Sequence, residues 1–210
     1  MRVRLTRAEQ RQQTRERVID AAERLFVETG FHATSVDEVA GEAGHTKGAV
    51  YSNFESKEDL FFAVYERRAE RAAVEAERVI GESGPAAGLE RLAYDSALRR
   101  GRDDGWLAVF YEFWAHVVRH PELRERFAEV HTRALAPFVA ATERLAEGDV
   151  RLPADAPGFN AAMFAMVSAL TLERLTRPDV VDAALGAQMI HFVTEALLRE
   201  EGSREERMNR

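Results

Sequence analysis

Apolar residues recur along this chain at intervals of three and four, with no sustained alternation, which predicts helices throughout and no sheet. Val18, Ile19, Ala22, Leu25 and Phe26 mark one face of a first helix over about 14–29, which Gly30 ends. Thr6 and Glu9 form a capping box that allows an earlier start. A short second helix carries Val36, Val39, Ala40 and Ala43, with the Ser35/Glu38 capping box before it and Gly44 after it. Thr46 opens a third, equally short, and Ser56 opens a long fourth over about 57–80. The breaker-rich run 81–88 predicts a loop. Further helices are expected over about 89–100, 106–120, 121–147 (with Pro121 in its first turn), 159–177 and 179–199. Breaks are expected at 101–105 and 148–158, and the charged end of the chain is expected to fray.

Two short helices joined by a glycine-containing turn make a helix-turn-helix pattern, and the residues of 34–62 suit a DNA groove. Lys47 and Lys57 are the only lysines of the chain, and each follows a capping hydroxyl, Thr46 or Ser56. A capping hydroxyl and an ammonium beside unpaired N–H groups make a candidate phosphate clamp. Between the clamps Gly48, Ala49 and Ser52 are small enough for close approach to base edges, and Tyr51 offers a phenol to a phosphate. Each clamp alone reads better as an ordinary helix cap with a solvated lysine. Their order and spacing together favour DNA.

From Arg15 to Phe62 the chain resembles the DNA-binding domain of TetR-type transcriptional regulators. The resemblance rests on Ala21-Ala22, Leu25-Phe26, Gly30-Phe31, Thr34, Val39-Ala40, Ala43-Gly44, Lys47-Gly48, Tyr51, Phe54, Ser56-Lys57 and Leu60. It implies an all-α fold of about nine helices: a three-helix helix-turn-helix head over 1–62, a helical effector-binding and dimerisation body over 63–202, and a charged tail over 203–210. It also implies that Thr34 or Ser35, Thr46, Tyr51 and Lys57 touch phosphates, while Lys47, Gly48, Ala49 and Ser52 face the groove. A phosphate contact by Lys57 predicts weaker and less salt-dependent binding when that lysine is removed. His45 and Ser52 depart from the family's common apolar residue and histidine, which weakens any inference about operator sequence.

A net charge of −7 over 210 residues looks wrong for a DNA binder until it is located. Arg2, Arg4, Arg7, Arg11, Arg15 and Arg17 face only Glu9 and Glu16 in the first 17 residues, which makes a basic arm. The same arm reads equally as a frayed tail. With no cysteine there is no thiol chemistry or disulfide framework. No apolar run reaches about 18 residues and the N-terminus lacks a signal-like apolar region, so the expectation is a cytoplasmic protein without membrane association. No phosphate-binding glycine loop, nucleophile elbow or H-E-x-x-H is present, which argues against an enzyme, and no cofactor is expected.

The segment WLAVFYEFWAHVVRH is apolar nearly all round. In a body of TetR type its Trp106, Phe110, Phe113 and Trp114, with Glu112, His116, His131 and Met166, are candidates to line a cavity for a small, largely apolar effector. Core filling is the default alternative for aromatics at this spacing. Glu112, His116 and His120 share a face, as metal ligands would, but a polar stripe explains them better and no metal is assigned. The last two helices combine small and large apolar residues: Ala162, Met163, Ala169 and Leu170, then Ala183, Gly186, Ala187, Ile190, Val193 and Leu197. Such faces suit a two-fold four-helix interface, giving a homodimer whose heads reach successive major grooves about 34–36 Å apart. The expected function is a ligand-responsive regulator, released from a palindromic double-stranded operator when an effector shifts the fourth helix. The competing reading is a DNA-binding architectural or interaction module without a ligand pocket.

Overall fold

The computed structural model describes residues 6–98, 104–147, 152, 154–182, 184–186, 188–189 and 191–193. Among them the chain forms α1 (Arg7–Thr29), α2 (Val36–Glu42), α3 (Lys47–Tyr51), α4 (Lys57–Ser83), α5 (Pro85–Leu98), α6 (Asp104–Arg119), a 3-10 turn (Pro121–Leu123), α7 (Arg124–Ala146) and α8 (Ala156–Thr176). Helical backbone follows at 184–186, 188–189 and 191–193, and no strand occurs among the described residues. No described helix is long and apolar enough to cross a membrane. The start of the basic arm with Arg2 and Arg4, the break at 101–103, most of the loop 148–153, Ala183, Ala187, Ile190, Leu197 and the charged tail lie outside the described residues.

The contacts divide the chain into two compact units, Met1–Ala69 with Gly105–Val130, and Glu70–Asp104 with His131–Arg210. The first holds the three-helix head, the start of α4, nearly all of α6 and the first turns of α7. Its core is aromatic: Phe26, Phe31, Phe61, Phe62 and Phe113 are all buried. Phe113 stacks on Phe61 at 4.0 Å and meets Phe31 edge-on at 4.9 Å. Arg67 of α4 fastens α1 by reaching Asp20 and Glu23, both at 2.5 Å, while Arg68 takes the other Glu23 oxygen at 2.6 Å. Burial alone would raise the Glu23 carboxyl, but the bonds from Arg67 and Arg68 outweigh it and hold it below the ordinary range.

The second unit is built on Ala76, Val79 and Ile80 of α4, Leu92 of α5 and Ala141 of α7, with Leu89 and Phe138 packed against them. The predicted loop at 81–88 is not there. Helix α4 runs on to Ser83, Gly84 alone breaks it with φ +80°, and Pro85 begins α5 at once. Gly88 is needed for helix packing, since a β-carbon there would lie 2.7 Å from the Ile80 Cα. The seventh helix also differs from expectation, because Pro121 opens a 3-10 turn and α7 starts only at Arg124. Helix α1 does use the earlier start, with both bonds of the Thr6/Glu9 capping box formed.

Candidate nucleic-acid interface

The head is shaped by local bonds that its sequence specifies. Ser35 and Glu38 form a complete capping box on α2, and the bond from the Ser35 amide lowers the Glu38 carboxyl pKa. At the other end Gly44 takes φ +69°. Its N–H donates to Gly41 O at 3.1 Å and the His45 N–H donates to Ala40 O at 2.8 Å, the paired bonds of a Schellman stop. Thr46 then accepts from the Ala49 N–H at 3.3 Å and starts α3. The far end of α3 is held from α1: Arg11 donates to Ser52 O at 2.8 Å, while the Asn53 amide donates to Ala49 O at 2.8 Å.

This framework leaves one face of α3 open. Val50 and Phe54 are buried against the head, whereas Thr46, Lys47, Gly48, Tyr51 and Ser52 are exposed and Ala49 is half-buried. Tyr51, a large aromatic, is 49% exposed. Lys47 pairs with Asp37 at 2.8 Å, which raises the lysine's pKa. Both partners are largely in solvent, so the pair exchanges readily for another anion. Ser35 is exposed, although its hydroxyl is shared with Glu38.

Two of the residues carried over as phosphate contacts face inward. Thr34 is 1% exposed, and its hydroxyl donates to Gly30 O at 2.7 Å and pairs with Thr29. The Lys57 ammonium donates to the carbonyls of Phe31 at 2.9 Å, His32 at 3.3 Å and Thr34 at 3.1 Å, above the Phe31 ring. An ammonium has three protons, and these carbonyls use all of them. Lys57 therefore braces the turn between α1 and α2. Ser56 does cap its helix, through the Asp59 N–H at 3.1 Å.

The amide side of the same turn is held by α6. Glu112 accepts the Phe31 N–H on one carboxylate oxygen at 2.8 Å and the His32 N–H on the other at 2.7 Å. Gly30 permits this, with φ +92° and a position where a β-carbon would lie 2.8 Å from the carboxylate. Sequence reasoning placed Glu112 with the effector candidates and missed this tether. Its partners lie some eighty residues away, beyond the reach of any local pattern.

The other effector candidates separate. Trp106, Phe110, Phe113, Trp114 and His116 fall in the first unit, whereas His131 and Met166 fall in the second. Trp106 stacks on Phe61 at 5.5 Å, and the Arg68 guanidinium lies over the Trp106 ring, 4.5 Å from its centroid. Phe110 packs on Tyr65 and Trp114 on Phe127. Of these aromatics Phe110 and Phe113 are buried core, while Trp106 and Trp114 are half-buried. His131 meets the Phe164 ring edge-on at 4.9 Å, and Met166 is half-buried. The second unit also holds a buried polar pair, the Asn160 amide donating to the Thr142 hydroxyl at 2.9 Å. Of the dimer candidates, Ala162 and Ala169 are exposed, Met163, Leu170 and Val193 are half-buried, and Gly186 is buried. Nearby Leu175, Leu185, Met189 and Phe192 are exposed apolar groups.

The polar stripe of α6 has its own chemistry. The His116 and His120 rings stack at 3.9 Å, and His120 Nδ1 lies 2.8 Å from the His116 carbonyl. Among the described residues no group of three side chains is placed to hold a metal. Desolvation first, then His120, His32 and Lys57, push His116 below its ordinary value, with Glu58 opposing at 3.5 Å. Burial pushes His131 the same way. The folded chain thus binds these protons less readily than the unfolded chain. The stability involved is fully present above the ordinary value of 6.5 and is lost as pH falls from there through the lowered values. The urea midpoint is expected to drop between pH 7.5 and 5.5, and a His116→Asn, His131→Gln double variant should flatten that drop. An unchanged wild-type midpoint across this range would contradict the assignment.

The comparisons with known proteins agree with this geometry. Residues 18–64 match the profile described as bacterial regulatory proteins, tetR family. Residues 85–199, more than half of the chain, match the BetI-type transcriptional repressor C-terminal profile. The chain belongs to the TetR family. Among curated relatives it is 46% identical to the HTH-type transcriptional regulator AcrR of Shigella flexneri over 55 residues, 26% of each chain. It is 31% identical to the HTH-type transcriptional repressor AcnR of Corynebacterium diphtheriae over 121 residues, 58% of each. The alignments thus span about a quarter and somewhat over half of those relatives' lengths. A TetR-family transcriptional regulator from Rhodococcus sp. superposes with a TM-score of 0.75 at 18% identity, covering 89% of this chain and 98% of the other. A transcriptional regulator from Saccharomonospora viridis in complex with choline gives 0.71 at 19% identity, covering 88% and 96%. At these identities the superpositions show a shared TetR fold.

Proposed function

We propose that this TetR-family chain is a cytoplasmic, homodimeric repressor that binds a palindromic double-stranded operator through α3 and releases it when a small, largely apolar effector binds the C-terminal part. The reading rests on one observation above others: α3 keeps Val50 inside while Thr46, Lys47, Gly48, Tyr51 and Ser52 stay outside. That is the disposition of a helix meant to meet something else. Lys47, Gly48, Ala49 and Ser52 face the bases, and Ser35, Thr46 and Tyr51 lie toward the backbone. In this reading residues 1–62 carry DNA recognition and 63–202 carry effector binding and dimerisation.

Support for the dimer comes from the apolar side chains left exposed at the end of the chain, Phe192 at 67% among them. Support for an effector comes from the half-buried His131 and Phe164 and the buried Thr142–Asn160 pair within the second unit, a mixture of polar and apolar groups typical of small-molecule sites. That a regulator of the same fold holds choline adds to it. The aromatics of α6 belong to the head's core in this reading.

The test is selection of duplexes from a random-sequence pool with the full chain, followed by titration at several salt concentrations. A two-fold symmetric consensus is expected. Lys47→Ala should weaken binding and lower the slope of log affinity against log salt by about one. Failure to retain any duplex at low ionic strength would overturn the reading.

A further inference from the structure

Helix α6 meets the end of α1 along one of its faces, at positions seven and four residues apart. Gly105 approaches Val27 so closely that a β-carbon would sit 2.8 Å from Val27 Cγ1 and 3.0 Å from its carbonyl oxygen. Glu112 binds the amides of Phe31 and His32. The His116 ring lies 5.4 Å from Phe31 and 5.3 Å from His32. Only the middle contact is directional. A carboxylate with both oxygens filled by consecutive backbone N–H groups fixes the orientation of that peptide as well as its place.

What that peptide controls follows from the chain. The turn it belongs to runs through Thr34 straight into Ser35, the cap of α2. Helix α2 ends in the Schellman stop, and two residues later Thr46 starts α3. Between Glu112's partners and the reading helix lie only Ala33, Thr34 and the capped, Schellman-stopped α2 with its turn. Lys57 holds the carbonyls of the same turn, so removing Glu112 leaves it gripped from one side only.

We propose that Glu112 is a positioning residue for DNA recognition: its carboxylate sets the α1–α2 turn, and so the attitude of α2 and α3. The proposal rests on the DNA-binding reading above and adds to it a residue that touches no DNA.

The test uses the full-length chain and the duplex that the wild-type protein selects from a random-sequence pool. Glu112→Gln keeps the shape, but its amide group turns a donor toward one of the two N–H groups. At a temperature where circular dichroism shows both proteins fully folded, affinity should fall about tenfold to hundredfold, the worth of a hydrogen bond to a charged group. Exchange of the Phe31 and His32 amides should accelerate alongside it. A merely structural role would lower the melting temperature and leave the folded protein's affinity unchanged. Wild-type affinity in folded Glu112→Gln overturns the proposal. If that variant does not fold, Glu112→Asp, one methylene shorter, should show the same two changes at smaller size, and wild-type affinity there overturns it equally. A wild-type chain that retains no duplex fails the DNA-binding reading itself and the proposal with it.

Discussion

Phe113→Ala is expected to cost about 3–5 kcal/mol of unfolding free energy, the range for truncating a fully buried phenylalanine in a close-packed core. Phe113 has no exposed surface, and it touches Phe61 at 4.0 Å, Phe31 at 4.9 Å and Phe62 at 5.2 Å. These partners come from α4 and from the turn after α1, so the ring joins three elements of the head's unit. Alanine would leave a cavity walled by stiff aromatic rings, which cannot collapse to fill it. The measurement is a urea titration of both proteins, with the slope checked for constancy. A loss below about 1.5 kcal/mol, the scale of a substitution that repacking absorbs, would show that the ring borders an existing void. It would then return to the effector candidates.

That difference between pocket and core marks where the sequence stops informing. Features closed within three or four residues were legible: the Thr6/Glu9 and Ser35/Glu38 boxes, the Gly44 stop, and the Thr46 and Ser56 caps all form as their spacing requires. Each is a backbone–side-chain bond whose partners are neighbours on the same turn, so pattern and geometry coincide. The run 81–88 misled because glycine and proline there serve helix-to-helix approach at Gly88 and a first-turn start at Pro85. Composition does not distinguish those uses from a loop. Phe110 and Phe113 of α6 were legible as buried, yet not as buried against the head, since periodicity names a face and not its partner.

The reading face itself divides along the same line. Val50 inward with Lys47, Gly48 and Tyr51 outward follows from helical spacing alone. Thr34 and Lys57 do not, because their direction is set by Gly30 and by carbonyls 23–26 positions away. A family motif records that a residue is needed at a position and leaves open whether DNA or the fold requires it. Here the amides of the turn between α1 and α2 are held by α6 and its carbonyls by α4. The two charged side chains that accomplish this, Glu112 and Lys57, read in the sequence as an effector candidate and a phosphate clamp.

Lys57→Met separates the two uses of that lysine. Methionine keeps an unbranched apolar stem against the Phe31 ring and removes only the ammonium. If the ammonium braces the turn, its loss strands the carbonyls of Phe31, His32 and Thr34 in a partly buried setting. The cost should be on the order of 2–3 kcal/mol, that of hydrogen bonds to a charged group. Operator affinity, measured where the variant is still folded, should drop through a loosened turn, but its salt slope should match the wild type because no phosphate contact has gone. Lys47→Ala is the contrast, with a lower slope and little change in stability, since its partner Asp37 is in solvent. If Lys57→Met instead lowers the slope by about one and leaves the urea midpoint in place, the ammonium leaves its three carbonyls for the DNA, and the brace exists only in the unbound chain.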